Sequence, residues 1–436
     1  MSKSIEDAVR DAMSASEAND AETSPECVSA PQTPLPSQTP LPSQTPLPSQ
    51  TPQTDPARGQ SPQTENPPRY APVRFFAFAT LAPLGLLGLA ALFGGLFAWI
   101  ALFYVTVLSA LLDEITARAF PDAPEGAEFP AANSLLVTLA IAHFAALLLA
   151  IFALTGGTGI GVGAKIAVLL GFGLFFGQVS NSTAHELIHR SDKRLFQLGS
   201  WIYISLLFGH HTSAHRLVHH RFVATPHDPN TAELGESFYA FFPRAWIGSF
   251  TSGFEMEEAR TQTRKAAGKR AINPYYIYSL GSFLCIVLVI ALMGVWGLIA
   301  YLALALYAQM QLMLSDYVQH YGLTRAPTGL DSFEPVDARH SWDARAKLSS
   351  LWMMNAPRHS DHHAHPNRAY PALRLGQIEA TRPILPRSLP VMATLALMPR
   401  LWRRVMDRRV KALRKAQATT GETAPHTAPL RKAAEM

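Results

Sequence analysis

Histidine supplies most of the reactive chemistry in this sequence. The segment NAPRHSDHHAHPNRAYPALR (Asn355–Arg374) holds His359, His362, His363 and His365. NSTAHELIHR supplies His185 and His189, HHTSAHRLVHH supplies His210, His211, His215, His219 and His220, and SDYVQHYGL supplies His320. Neutral imidazole is a good ligand for iron, zinc, copper and nickel. Residues four apart on a helix share a face, so His185 with His189, and His215 with His219, can each reach one centre. His220 adds a neighbouring direction, and His359 lies within one turn of His362 and His363. One zinc site needs three or four ligands. Nine grouped imidazoles exceed that and fit two metals sharing a site.

Other readings of the same residues differ in how many of them they use. HELIH alone matches the HExxH pattern of zinc proteases, with Glu186 as general base, but that reading leaves the other clusters idle. Lone histidines such as His143 and His426 are expected to be structural or solvated. His210, His211, His227 and His365 receive no role as ligands. Polar residues beside the clusters could hold imidazole N–H groups: Glu186, Asp228, Gln319 and Asp361, and with them Glu236 and Asp316.

These residues must be positioned by a chain whose composition is sharply divided. Its 436 residues are 48% hydrophobic with a formal charge of +5. Residues 1–73 are rich in Pro, Ser, Thr and Gln, with QTPLPS three times in tandem from Gln32 to Ser49. Proline at this density blocks helix and sheet, so a disordered tail is expected. Beyond it, runs such as Ala77–Leu112 contain no charge, and about twenty apolar residues span a bilayer as a helix. Six membrane helices are predicted, near 75–93, 96–113, 134–154, 164–181, 275–293 and 297–316, within a domain covering 74–415. The run 196–209 is too short to span. A flexible end is expected over 416–436.

Lys and Arg number eleven in 182–274 and nineteen in 319–436. The positive-inside bias therefore puts these segments, both termini and every histidine cluster on the cytoplasmic face of a bacterial inner membrane. The link 114–133 should lie there too, although it is acidic. No signal peptide is expected, since the first thirty residues hold no apolar stretch. Two cysteines, Cys27 and Cys285, exclude a disulfide scaffold, an iron–sulfur cluster or a built-in rubredoxin-type site. Electrons for any redox chemistry must then come from another protein. Redox metals held by nitrogen ligands beside a membrane suggest oxygen activation, with the bilayer supplying an apolar substrate.

Over roughly residues 75–410 the chain resembles the membrane-bound alkane monooxygenases, within the wider fatty acid desaturase-like superfamily of di-iron enzymes. NSTAHELIHR, HHRFVATPHDPNTAELGESFYAFFPR, DYVQHYGL, HSWDA, RHSDHHAHPNRAYPALR and LMPRLWRRVMD carry the resemblance. It implies an all-α, six-helix membrane bundle with two non-haem irons at its cytoplasmic end. The ligands would be His185, His189, His215, His219, His220, His320, His359, His362 and His363. It also implies hydroxylation by O2 of the terminal methyl of n-alkanes, with electrons from rubredoxin (or ferredoxin) and its NAD(P)H-dependent reductase. The sequence departs from the family pattern at Ala214, Val218, Gln319 and Asp343. Gln319 resembles the related xylene monooxygenases, so an aromatic-methyl hydroxylase or a lipid desaturase on the same scaffold is the nearest alternative. The basic stretch 400–414 is suited to an acidic carrier or to anionic headgroups alike.

Overall fold

The computed structural model describes residues 70–116, 119–329 and 332–420. The Pro-rich repeats expected to form a tail, and all residues past 420, lie outside these. Helix α1 (Val73–Phe93) leads into α2 (Gly95–Ile115), then α3 (Ala132–Leu154) and α4 (Val162–Ile188). Helix α5 (Lys193–Ser205) follows. A short element, α6, opens at His211–Ala214, passes through a π turn at His215–His219 and closes at His220–Phe222. After it come α7 (Phe238–Ala266), α8 (Pro274–His320), α9 (Leu348–Trp352), α10 (His359–Ala364), α11 (Leu389–Ala396) and α12 (Pro399–Thr420). No β-strand occurs among the described residues, only the isolated bridges Pro327–Phe333 and Asp343–Ile384.

Five of these elements, α1 to α4 and α8, are long and apolar enough to cross a membrane. Their outer surfaces suit a lipid solvent. Leu292, Val295 and Trp296 are 62–70% exposed, an apolar surface that water would not tolerate. The expected helices 275–293 and 297–316 both fall in α8. At about 1.5 Å per residue a straight helix of 47 residues would run some 70 Å, over twice a bilayer core of about 30 Å. It is not straight, because Gly294 has φ 65° and ψ −163° and divides two helical halves. Gly94, at φ 60° and ψ −138°, makes the same kind of one-residue turn between α1 and α2. This region of backbone space is open essentially to glycine alone.

Helix α4 runs past its expected end at 181 to Ile188, carrying His185 with it. Its polar residues remain helical because their side chains find partners. Asn181 donates to the carbonyls of Gly177 (3.1 Å) and, on α8, Ala308 (2.9 Å). Thr183 donates to Val179 (2.8 Å). Helix α5 packs within the bundle and does not span it. The Tyr203 hydroxyl donates to Asn181 (3.2 Å), and the Tyr301 hydroxyl donates to the Ser205 carbonyl (2.6 Å). His143 in α3 is fully buried and bridges the Ser180 and Ser205 hydroxyls, at 2.9 Å each. Helix α7 has no counterpart in the sequence reading, since its mixed composition shows no apolar run. Trp246 ties it to Gln309 of α8 (2.9 Å).

The acidic link between α2 and α3 joins the segment that carries the last histidines. Asp113 accepts the Leu348 and Ser349 N–H groups at 2.7 and 3.1 Å, capping α9. Asp122 pairs with Arg358 (2.6 Å) and accepts the N–H groups of Leu375 and Gly376. The end of α2 and the link after it therefore share one end of the bundle with the histidines, where Asp113 and Asp122 are engaged in these contacts. Helix α12 packs there too, burying Trp402, Met406 and Val410, and it extends into the stretch 416–420 expected to be flexible.

A Cβ at Gly94 would lie 2.9 Å from Ile160 Cγ2, whereas at Gly88 nothing comes within 4 Å. Gly94→Ala is expected to cost roughly 1–3 kcal/mol, and Gly88→Ala to be neutral or stabilising by under about 1 kcal/mol. Thermal unfolding of the two variants in detergent checks this; equal melting temperatures would contradict the strained turn.

Candidate metal centre

Four elements deliver the nine expected imidazoles to one end of the bundle: the end of α4, the π turn of α6, the end of α8, and α10. The structure sorts them into two groups. His185, His189, His215, His220 and His362 form one; His219, His320, His359 and His363 form the other. Within each group the ring nitrogens lie within 4.8 Å of one another. The groups abut, with the His220 and His363 ring centroids 4.5 Å apart.

This division corrects the expectation that His215 and His219 serve one centre. That expectation assumes an α-helix. The π turn at His215–His219 bonds i to i+5 and widens the turn, so His215 aligns with His220, their Nε2 atoms 3.0 Å apart, while His219 turns to the other group. Helix α10 divides as well. His363 Nε2 lies 3.1 Å from His359 Nε2, and His362 Nε2 lies 3.1 Å from His220 Nε2.

The nitrogen geometry fits metal ions. His359 Nε2 lies 3.0 Å from His320 Nε2 and 3.1 Å from His363 Nε2. His220 Nε2 has the same relation to His215 and His362. One ring nitrogen holds at most one proton, so hydrogen bonding satisfies these three-way contacts poorly. Nitrogens about 2.1 Å from one ion, at right angles to each other, stand about 3.0 Å apart. Two rings carry proton assignments that leave Nε2 free as a ligand. His219 donates Nδ1–H to Asp228 (2.9 Å), and its buried Nε2 has no hydrogen-bond partner. His320 donates Nδ1–H to the His340 carbonyl (3.1 Å). Such contacts fix the tautomer and orientation of a ligating ring.

Burial holds His189, His215, His220, His359, His362 and His363 well below the ordinary histidine value, and neighbouring imidazoles push the same way. The rings are therefore neutral, as ligation requires. His219 is the exception. Burial would lower it, but the Asp228 carboxylate outweighs that through charge and hydrogen bond, with help from Asp316, so its value is raised. Thr231 also donates to Asp228 (2.7 Å).

Of the carboxylates and amides expected to hold ligand rings, Asp228 alone does so among the described contacts. Glu186 instead pairs with Arg190 (2.8 Å) and accepts the Tyr370 N–H (3.1 Å). Gln319 donates to the Ala356 carbonyl (3.1 Å). Asp361 binds His365 (3.0 Å), Arg368 and the Arg374 N–H. Asp316 accepts from Asn230 (2.7 Å), and Glu236 pairs with Arg244 (2.8 Å). Glu186, Gln319 and Asp361 each lie next to a histidine in sequence, yet helical geometry turns them elsewhere. The sequence reading missed His340 and Arg358. Arg358, beside His359, reaches Asp122 and the carbonyls of Phe120 and Leu373, contacts across loops that no local pattern reveals. A cavity touches both groups, lined by His185, His215 and His359 with Asn181, Leu312 and Met353 among its other walls.

Residues 158–396 match the fatty acid desaturase family, over half of the chain. The chain is 31% identical over 258 residues to alkane 1-monooxygenase 2 of Alcanivorax borkumensis, covering 58% of this chain and 66% of the relative. It is 34% identical over 250 residues to alkane 1-monooxygenase of Acinetobacter baylyi, covering 56% and 59%. The xylene/toluene monooxygenase hydroxylase component of Pseudomonas putida is 26% identical over 234 residues, covering 50% and 57%. The matched region thus spans less than two thirds of each of these relatives.

Asp228→Asn is expected to weaken metal binding about 10- to 100-fold by loosening His219, measured by chelator competition; unchanged affinity would remove Asp228 from the site. His210, in a box of Phe208, Trp246 and Phe250, gives a separate test. Burial lowers it to about 3 from an ordinary 6.5. The unfolded chain therefore binds the extra proton between these values, and stability, complete above 6.5, declines as pH falls towards 3. His210→Phe should reduce the stability lost between about pH 7 and pH 5 by about 2 kcal/mol, read from chemical unfolding at both pH values.

Proposed function

The chain belongs to the fatty acid desaturase family, and we propose that it is a membrane alkane 1-monooxygenase. The reaction is hydroxylation by O2 of the terminal methyl of a medium- or long-chain n-alkane. The observation that carries this reading is the pair of abutting imidazole groups with a cavity touching both, at the end of an apolar bundle. In this reading the nine histidines hold two irons, five at one position and four at the other. Bound iron would supply the O2 activation that a terminal C–H bond demands, one oxygen atom entering the alcohol and the other leaving as water, with two electrons from a carrier such as rubredoxin and two protons from solvent.

The chain's own residues supply position and surroundings. Asp228 and the His340 carbonyl fix two rings of the four-histidine group. Leu312 and Met353 give the cavity an apolar wall against which a methyl end can rest. Burial shields six of the nine rings from water and lowers the proton affinity of most of them, His219 excepted. Gly294 divides α8 into two crossings, making six in all, with the histidines and both termini on the cytoplasmic side. That orientation draws support from the basic segments and from the contacts that bring the acidic link to the same end.

Gln319, in the cavity wall, favours one second reading, hydroxylation of an aromatic methyl. A zinc protease is disfavoured because the Glu186 carboxylate is occupied by Arg190 and the Tyr370 N–H. Purified protein in nanodiscs, loaded with iron and given n-octane, rubredoxin, its reductase and isotopically labelled O2, should yield labelled 1-octanol. His185→Ala and His359→Ala, one from each group, should both lose at least about 100-fold in turnover. No alcohol from any n-alkane, with benzylic alcohol from xylene or alkene from an acyl chain, would move the activity to the corresponding relative.

A further inference from the structure

HSWDA places an aspartate in the interior, and nothing in the proposed reaction uses it. Asp343 is 0% exposed. Its carboxylate accepts the Ser360 N–H (2.9 Å) and the Ser360 hydroxyl (2.6 Å), and it pairs with Arg382 (2.8 Å). Ser360 is the second residue of α10, so the carboxylate caps that short helix at its N-terminal end. On the other side of His359, Arg358 is held by Asp122 and by the Phe120 and Leu373 carbonyls. His359 is thus clamped through both chain neighbours.

The partner of Asp343 is itself held in place. The backbone of Asp343 bridges to the 383–385 stretch, its N–H donating to Pro383 (3.0 Å) and its carbonyl accepting from Leu385 (2.8 Å). Gln417, near the end of α12, donates to the Thr381 carbonyl (3.0 Å). The C-terminal helix therefore latches the strip that presents Arg382. A helix of six residues has little stability of its own, and α10 supplies two of the four rings in one group but one of five in the other.

We propose that Asp343, held by Arg382, is a positioning residue that sets the register of α10 and so governs the four-histidine metal position more than the five-histidine one. This rests on the two-metal reading of the site. An anchor lost from α10 displaces half the ligands of one group and a fifth of those of the other. Arg382 also neutralises a carboxylate that would otherwise be a buried, unpaired charge.

The test uses the full chain in nanodiscs, with iron stoichiometry, iron affinity and Mössbauer spectra as readouts. Wild type should bind two irons; if it binds one or none, the two-metal reading fails and the positioning role falls with it. Given two in wild type, Asp343→Ala should retain one iron and weaken the other about 10- to 100-fold, with one spectral component changed. Ser360→Ala, which keeps the backbone N–H, should show the same selectivity at about 10-fold or less. Arg382→Gln should weaken the same ion, and adding Asp343→Asn to it should restore binding by removing the stranded charge. Wild-type stoichiometry, affinity and spectrum in Asp343→Ala would overturn the proposal, as would equal loss of both irons in inserted protein. If Asp343→Ala does not insert, Ser360→Ala decides: a wild-type spectrum and affinity overturn the assignment.

Discussion

Nine imidazoles packed side by side, six of them buried and three half-buried, must be neutral to bind metal, and the rest of the structure answers to that constraint. Charging one ring in a poorly polarisable interior is costly, and each charged ring raises the cost of the next. Neutral rings in contact create a second difficulty, because their lone pairs face one another. The fold answers the first by placing the rings at the end of an apolar bundle, where desolvation holds most of them below the ordinary value. It answers the second where it can by drawing the ring proton outward, to Asp228 from His219 and to the His340 carbonyl from His320. What remains at the centre is a set of inward nitrogens about 3 Å apart, an arrangement that a shared cation stabilises and a proton does not.

Holding that arrangement requires contacts between described segments far apart in the sequence. The end of α4 is tied to α8 through Asn181 and to α5 through Tyr203. Helix α10, too short to be stable alone, is tied to the α2–α3 link through Arg358 and to Asp343, upstream of it, through Ser360. Asp113 and Asp122 satisfy backbone N–H groups of the histidine-bearing segment, which explains an acidic loop at an end of the bundle otherwise rich in Lys and Arg.

How much of this the sequence revealed follows from which interactions are local. Apolar runs announce membrane helices because lipid demands continuous burial, and five elements fall where such runs lie. The histidine clusters were legible from composition and order. Their allocation was not. The four-residue rule assumes an α-helix, and the π turn at His215–His219 has no signature that distinguishes it from one. Gly294 looks like any other glycine until its φ is known. Helix α7 went unseen because its faces are mixed. Glu186, Gln319 and Asp361 were named for adjacency in sequence, yet neighbours on a helix diverge by about 100°. Asp343 stood out in HSWDA, but its role lies in partners 17 and 39 residues away.

The two groups differ less in their ligands than in what surrounds them. All nine candidate ligands are imidazoles, so ligand type cannot distinguish the two positions. Charge can. Asp228 and Asp316 act on His219, in the four-histidine group, and raise its proton affinity. Arg216 acts in the opposite sense on His189 and His220, in the five-histidine group, with Arg190 adding to it at His189. Glu186, the nearest carboxylate in sequence to that second group, is already paired with Arg190. The four-histidine group therefore lies near Asp228 and Asp316, and the five-histidine group near Arg216. Across rings whose centroids stand 4.5 Å apart at the boundary, the two histidine groups thus differ in the charged residues around them.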